Sequence, residues 1–160
     1  MVISMILSNA GLGFLKAREG YDPKCRLENG SWKAHYDKIG NCYDMPFGIC
    51  YDLDGSAVRK DSIWTNEKVN HVFKTMCARY ENKLNEILQG IELTQYQFDA
   101  LFSFSWNIGI NGFRGSTALK DLKAGRLDRL PTDMLMWTKN KELIPRRKLE
   151  VKLFSEGVYD

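Results

Sequence analysis

Histidine is scarce in this chain: His35 and His71 are the only two in 160 residues. The four cysteines, Cys25, Cys42, Cys50 and Cys77, show no C-x-x-C spacing. A zinc-type centre needs clustered thiolates and imidazoles, so no metal ligands are assigned and no cofactor is expected. Reduced, buried thiols are the expected state, although an oxidising compartment would permit a disulfide among the three cysteines of residues 21–55. Prolines number four, and no repeat, low-complexity tract or long linker interrupts the chain. No apolar run is long enough to span a bilayer. The stretch Val2–Leu15 is broken by Ser4, Ser8, Asn9, Gly11 and Gly13 and lacks a basic leader, so it reads as a lead-in to a first helix and not as a signal peptide. The net charge of +3 is too mild to mark a nucleic-acid binder. The densest basic run, Pro145-Arg146-Arg147-Lys148, could meet an anionic polymer but is expected to form a solvated helix face.

What the chain does have is ordinary globular composition, 44% apolar and 27% charged, enough for one domain with a substantial core. Seven Tyr, eight Phe and four Trp supply core volume first, and faces on which sugar rings could stack second. Residues Asn9 to Arg18 predict a helix with Leu12 and Leu15 inward and Gly20 just beyond its end. Helical periodicity then fails over residues 21–55, where turn signals stand at Asn29-Gly30, Gly40-Asn41, Pro46, Gly48 and Asp54-Gly55. Thr65 is an N-cap for a long helix over Asn66 to Leu88, with Trp64 placed to staple against Val69. On that helix His71 reads as structural or exposed. Pro131 opens a short helix through Trp137, and Pro145 and Gly157 bracket the last one.

The densest local signal is LTQYQFDALFSFSWNIGINGFRGSTALKDLKAG, residues 93–125. Thr94 and Gln97 form a capping box, Phe98, Leu101 and Phe102 continue an apolar face, and Asn107, Gly109, Asn111 and Gly112 predict a turn. Ser116 or Thr117 caps a second helix carrying Leu119 and Leu122 inward and ending at Gly125. This order of residues resembles the phage-type lysozymes, the endolysins of glycoside hydrolase family 24. Their pattern, L-T-x-x-Q-x-D-A-L-x-S-F-x-x-N-x-G, is met at Leu93, Thr94, Gln97, Asp99, Ala100, Leu101, Ser103, Phe104, Asn107 and Gly109. Phe113, Ser116, Thr117, Leu119, Leu122 and Gly125 complete it, and the Arg-Arg helix ELIPRRKLEVKLFSEG is similar to the family's usual ending.

The resemblance implies an α+β, lysozyme-like fold, with a small β-hairpin lobe over about residues 20–65 and a larger helical lobe formed by 1–19 and 66–160. A long helix would join them, with the substrate cleft between. It also implies a monomeric muramidase that hydrolyses the β-1,4 bond between N-acetylmuramic acid and N-acetylglucosamine of bacterial peptidoglycan. Synthesis in the host cytoplasm and action in the periplasm, for cell lysis, would follow. No cofactor, nucleic-acid partner or stable membrane insertion is implied.

Glycoside hydrolysis needs a carboxylic acid to protonate the leaving oxygen and a second group to direct water or stabilise positive charge. Glu19, in A-R-E-G at the end of the first helix, matches the family's acid. The partner is Asp37, which keeps the family's D-x-x-G spacing with Gly40, or its competitor Asp44. The interval from Glu19 is longer than in the family, and an extended hairpin centred on Asn29-Gly30 is expected to absorb it. Pro46-Phe47-Gly48-Ile49-Cys50-Tyr51 stands where the family has a Thr-Ile-Gly-Tyr-Gly-His strand, so the water-positioning Thr becomes Pro46. Asp44 or Tyr43 is the candidate to replace it. Asn107 either closes a helix or contacts substrate acetamido groups. Two rival readings stand beside the hydrolase: a non-catalytic wall-binding protein on this scaffold, and a lytic transglycosylase built on Glu19 alone.

Overall fold

The computed structural model describes residues 4–160. They form two compact units, Lys16–Arg79 and a helical unit of the residues before Lys16 with Tyr80–Asp160. The boundary falls inside two helices, α1 (Asn9–Glu19) and α2 (Asn66–Ile87). Among the described residues no helix is long and apolar enough to cross a membrane.

The smaller unit is built from two minimal ladders. Strand β1 (Trp32–Lys33) pairs antiparallel with β4 (Ile63–Trp64), and β2 (His35–Asp37) pairs antiparallel with β3 (Cys42–Asp44). The expected hairpin at Asn29-Gly30 is real but short. Gly30 takes a φ of +84°, and a single bridge, Arg26 to Trp32, closes the turn before Trp32 leaves to pair with Trp64. The longer interval after Glu19 is thus filled by this turn and by a 3₁₀ turn at Pro23–Cys25, not by an extended hairpin. Trp64 and Val69 are both buried, and Thr65 Oγ1 accepts from the Lys68 amide at 3.1 Å as an N-cap should. Val72, Phe73 and Cys77 continue the buried face of α2, while His71 is exposed.

In the helical unit, α3 (Gln95–Ile108) carries the expected capping box, with both the Thr94 and Gln97 bonds made. Gly109 ends it at φ +88°. The predicted turn does not extend further, because Asn111 and Gly112 lie inside a short helix, α4 (Ile110–Arg114), which buries Phe113. Ser116 caps α5 (Thr117–Lys123), accepting from the Leu119 amide, and Leu119 and Leu122 point inward. Helix α6 (Leu130–Leu135) carries Pro131 in its first turn, and α7 (Ile144–Glu156) packs on α3 and α6 before ending at Gly157, φ +70°.

Three polar residues of the signature, Asp99, Ser103 and Asn107, recur every fourth position and therefore share one face of α3. Each fastens a distant segment. Asp99, buried, accepts from the Ser8 amide at 3.2 Å, the Gln95 side chain at 2.9 Å and the Tyr159 hydroxyl at 2.6 Å, and also from the Ser8 hydroxyl. Gly11 is required beside it, since a Cβ there would stand 2.5 Å from the Asp99 carboxyl carbon. Ser103 donates to Glu150 Oε2 at 2.5 Å, and Asn107 Oδ1 accepts from Arg147. Half of the basic run departs from a solvated face: Arg147 is fully buried and the Arg146 side chain is only 10% exposed, while Pro145 and Lys148 are exposed.

Two buried carboxylates, Asp121 on α5 and Asp133 on α6, interact directly. Arg126 Nε donates to Asp121 at 2.8 Å, whereas Asp133 Oδ2 is buried with no hydrogen-bond partner. Burial first, and the neighbouring Asp121 second, push Asp133 up to about 6. A raised folded-state value means that its proton stabilises the fold fully in acid and that this stability is lost as pH rises through about 6. Asp133→Asn, whose amide can donate to Asp121 at any pH, should flatten the fall in Tm expected of the wild type between about pH 4 and pH 7. A calorimetric pH series with parallel curves for both proteins would contradict it.

Candidate active site

Glu19 is the last residue of α1 and sits half-buried ahead of Gly20, whose φ of +68° turns the chain out of the helix. A carboxylate at a helix C-terminus opposes the helix dipole, so local stability does not explain its presence. The Gly20 carbonyl accepts from the Phe47 amide at 2.9 Å, which ties the Pro46–Gly48 segment directly to the end of α1. That segment is a 3₁₀ turn closed by reciprocal Met45–Ile49 bonds of 2.8 and 3.3 Å, not a strand. Pro46 explains the change, because a proline has no amide to give a ladder. Phe47 is held left-handed, φ +67°, with its ring 4.8 Å from Phe73 and the Lys16 ammonium 5.4 Å from its centroid. A left-handed non-glycine residue costs on the order of 1–3 kcal/mol and persists only where the surroundings over-determine it.

Glu19, Asp37 and Asp44 all line one pocket of about 510 Å³ within the smaller unit. Tyr21 and Trp32 supply aromatic wall, their rings edge-on at 5.1 Å, with Tyr21 58% exposed. Asp37 spends Oδ1 on the Ile39 amide at 3.0 Å, which fixes the β2–β3 turn. Asp44 lies opposite His35 in the ladder, and its Oδ1 is 3.1 Å from His35 Nδ1. Burial raises the Asp44 carboxyl above the ordinary range, and the His35 hydrogen bond partly opposes that rise. Sequence reasoning missed His35. The signal was available, because a four-residue connection, 38–41, between H-Y-D and C-Y-D sets His35 opposite Asp44. Tyr43 pairs with Tyr36 in the ladder, and neither lines the pocket.

Asn107 belongs to the helical unit and lines a separate pocket of about 510 Å³ with Trp137 and Asn140. Its carbonyl is engaged by Arg147, which leaves its amide nitrogen as the group able to meet a ligand. Among the described residues no three His, Cys, Asp or Glu side chains are grouped to hold a metal ion.

Of the four thiols, Cys25 and Cys77 are buried, whereas Cys42 and Cys50 are only half-buried, with their sulfurs 3.2 Å apart. Burial first, then Cys42, push the Cys50 thiol up to about 12. Alkylation proceeds through the thiolate, so Cys50 should react with iodoacetamide at pH 8 roughly tenfold or more slowly than an exposed cysteine. Peptide mapping of a labelling time course that found Cys50 modified at the ordinary rate would refute this.

The family model for phage lysozymes matches residues 28–150, a stretch that takes in His35, Asp37 and Asp44 and begins after Glu19. The endolysin of Salmonella phage P22 is 31% identical over 154 residues, covering 94% of this chain and 98% of that protein. The endolysin of Bacillus phage B103 is 29% identical over 158 residues, 96% of this chain but 55% of the relative, so this chain spans about half the length of that protein. The solved endolysin from Escherichia coli O157:H7 phage FAHEc1 superimposes with a TM-score of 0.86 at 25% identity, covering 100% of this chain and 99% of that one. A lysozyme-like α+β architecture is shared along the whole chain, and with a family match across most of its length this protein belongs to the phage lysozymes.

Proposed function

We propose that this protein is a peptidoglycan muramidase, cleaving the β-1,4 bond between N-acetylmuramic acid and N-acetylglucosamine at the bacterial cell wall. The observation that carries the reading is the meeting of Glu19 with two further carboxylates, Asp37 and Asp44, in one aromatic-walled pocket. Glu19 is the general acid that protonates the departing glycosidic oxygen. Asp44, half-buried and more basic than a solvent-exposed aspartate, takes the proton of the attacking water, the task left open by the loss of a threonine at Pro46. Asp37, anchored in its turn, places negative charge towards the oxocarbenium-like transition state. Release of the enzyme from the cytoplasm of an infected cell, leading to lysis, fits this activity and the endolysin relatives.

The test is digestion of purified Gram-negative peptidoglycan with mass analysis of the muropeptides. Reducing muramic-acid ends are the expected product. Anhydro ends would replace the hydrolase with a transglycosylase built on Glu19. Folded protein that sediments with the wall yet yields no fragments would leave a binding protein.

A further inference from the structure

His35 and Asp44 are Cα partners across the β2–β3 ladder, and the imidazole Nδ1 lies 3.1 Å from Asp44 Oδ1. Both side chains line the pocket that contains Glu19. The fold itself has little use for the contact. The ladder already fixes the hairpin, and the imidazole is 42% exposed, where an ion pair adds little to stability. The Asp44 side chain, by contrast, is only 17% exposed and has lost much of the water that would keep it charged.

We infer that His35 is a positioning residue for catalysis: it holds the Asp44 carboxylate aimed, so that it can direct the attacking water in place of a threonine hydroxyl. This rests on the muramidase reading. With Nδ1 carrying a proton, the imidazole donates to Oδ1, and Oδ2 is the oxygen left to accept the proton of water. The arrangement works in either charge state of the ring, because a neutral imidazole can keep its single proton on Nδ1. Burial favours the neutral acid, and the His35 bond is the largest effect acting against it. The other titratable groups around Asp44 do not substitute for it. Asp37 on β2 pushes Asp44 the wrong way. Glu19 and Asp22, which share the pocket, are acidic as well. The Cys25 and Cys50 thiols are raised, Asp44 itself being one cause, and stay neutral. Lys33 is the remaining cation of the pocket and makes no hydrogen bond or ion pair with Asp44.

Two substitutions separate this role from a structural one. His35→Ala removes the donor, whereas His35→Asn places an amide Nδ2 where Nδ1 was. In His35→Ala, kcat on purified wall should fall about tenfold with KM little changed, and the acid limb of the pH–activity profile should move up by roughly one pH unit. His35→Asn should recover much of the lost kcat and return the limb towards its wild-type position. A carbon-13 NMR titration of the Asp44 carboxyl should show the same upward shift in the alanine variant, without depending on turnover. Thermal melts confirm that both variants fold. An unshifted Asp44 titration overturns the inference, and so does a shifted titration with wild-type kcat across the pH range. Wild-type protein inert on the wall would first defeat the hydrolase reading, and with it the role of His35.

Discussion

Glu19→Gln should lower the rate of wall lysis by about 10²–10⁴-fold, the range spanned by the loss of a positioned general acid. Glutamine keeps the shape of the side chain and its capacity to accept a hydrogen bond, but its amide cannot release a proton to the leaving oxygen. The variant should still fold. Glu19 is half-buried at the C-terminal end of α1, where a negative charge meets the negative end of the helix dipole. Lys16 and Arg18 already place positive charge in that last turn. Sedimentation with purified wall should likewise persist, since the aromatic wall of the pocket is untouched. Turbidity assays on outer-membrane-permeabilised cells, with thermal melts on the same preparations, check all of this. Lysis at the wild-type rate would remove Glu19 from the mechanism. Asp44→Asn should also cripple lysis, and more severely than Asp37→Asn, because only the first removes the proton acceptor.

The features legible in the sequence were those written in short-range stereochemistry. Thr94 with Gln97, Thr65, Ser116 and the left-handed glycines at 20, 125 and 157 each solve a helix end with residues a few positions apart. Such solutions are readable because the atoms that satisfy the backbone are local. Burial of charge is not local. Arg147 looks like part of a solvated run, and besides Glu150 on its own helix the groups that satisfy it come from distant segments, Asn107 of α3 and the Trp137 carbonyl after α6. The pairing of Trp32 with Trp64 is equally invisible, since the strands are thirty residues apart and only two residues long. Asn111 and Gly112 suggested a turn by their low helix propensity, yet one buried phenylalanine, Phe113, was enough to fold them into α4. At the site, Glu19, Asp37 and Asp44 were nominated by the resemblance to the family's motifs. Their convergence on one pocket was set by the Phe47–Gly20 bond and by the ladder register, neither of which a residue pattern records.

Glu150→Ala should be the most destabilising single change, by about 3–5 kcal/mol, the cost of stripping one partner from a buried ion pair. Glu150 and Arg147 are both fully buried one helical turn apart on α7, and they bond directly. Arg147 also donates to the Trp137 carbonyl at 3.1 Å and to Asn107, with its guanidinium 5.2 Å from the Phe104 ring centre. Glu150 Oε2 further accepts from Ser103 at 2.5 Å and from Arg146 at 3.2 Å. Removing the carboxylate takes from Arg147 the anion it bonds and leaves its buried guanidinium facing the Trp137 carbonyl and the Asn107 side-chain oxygen. Burial already pulls the Arg147 pKa down while Glu150 pushes it back up, so the charge is tolerated only with its partner present. Against a total stability of about 5–15 kcal/mol, a loss of that size corresponds to a drop in Tm of roughly 6–20 °C. Because the cost lies in the orphaned charge, and not in the bond, the double variant Arg147→Met with Glu150→Leu should be clearly more stable than Glu150→Ala alone. Calorimetry on the wild type, both single variants and the double variant decides the matter. If the single losses simply add, the two charges do not share one site, and the signature residues Ser103 and Asn107 must be fixing α7 through some contact other than this pair.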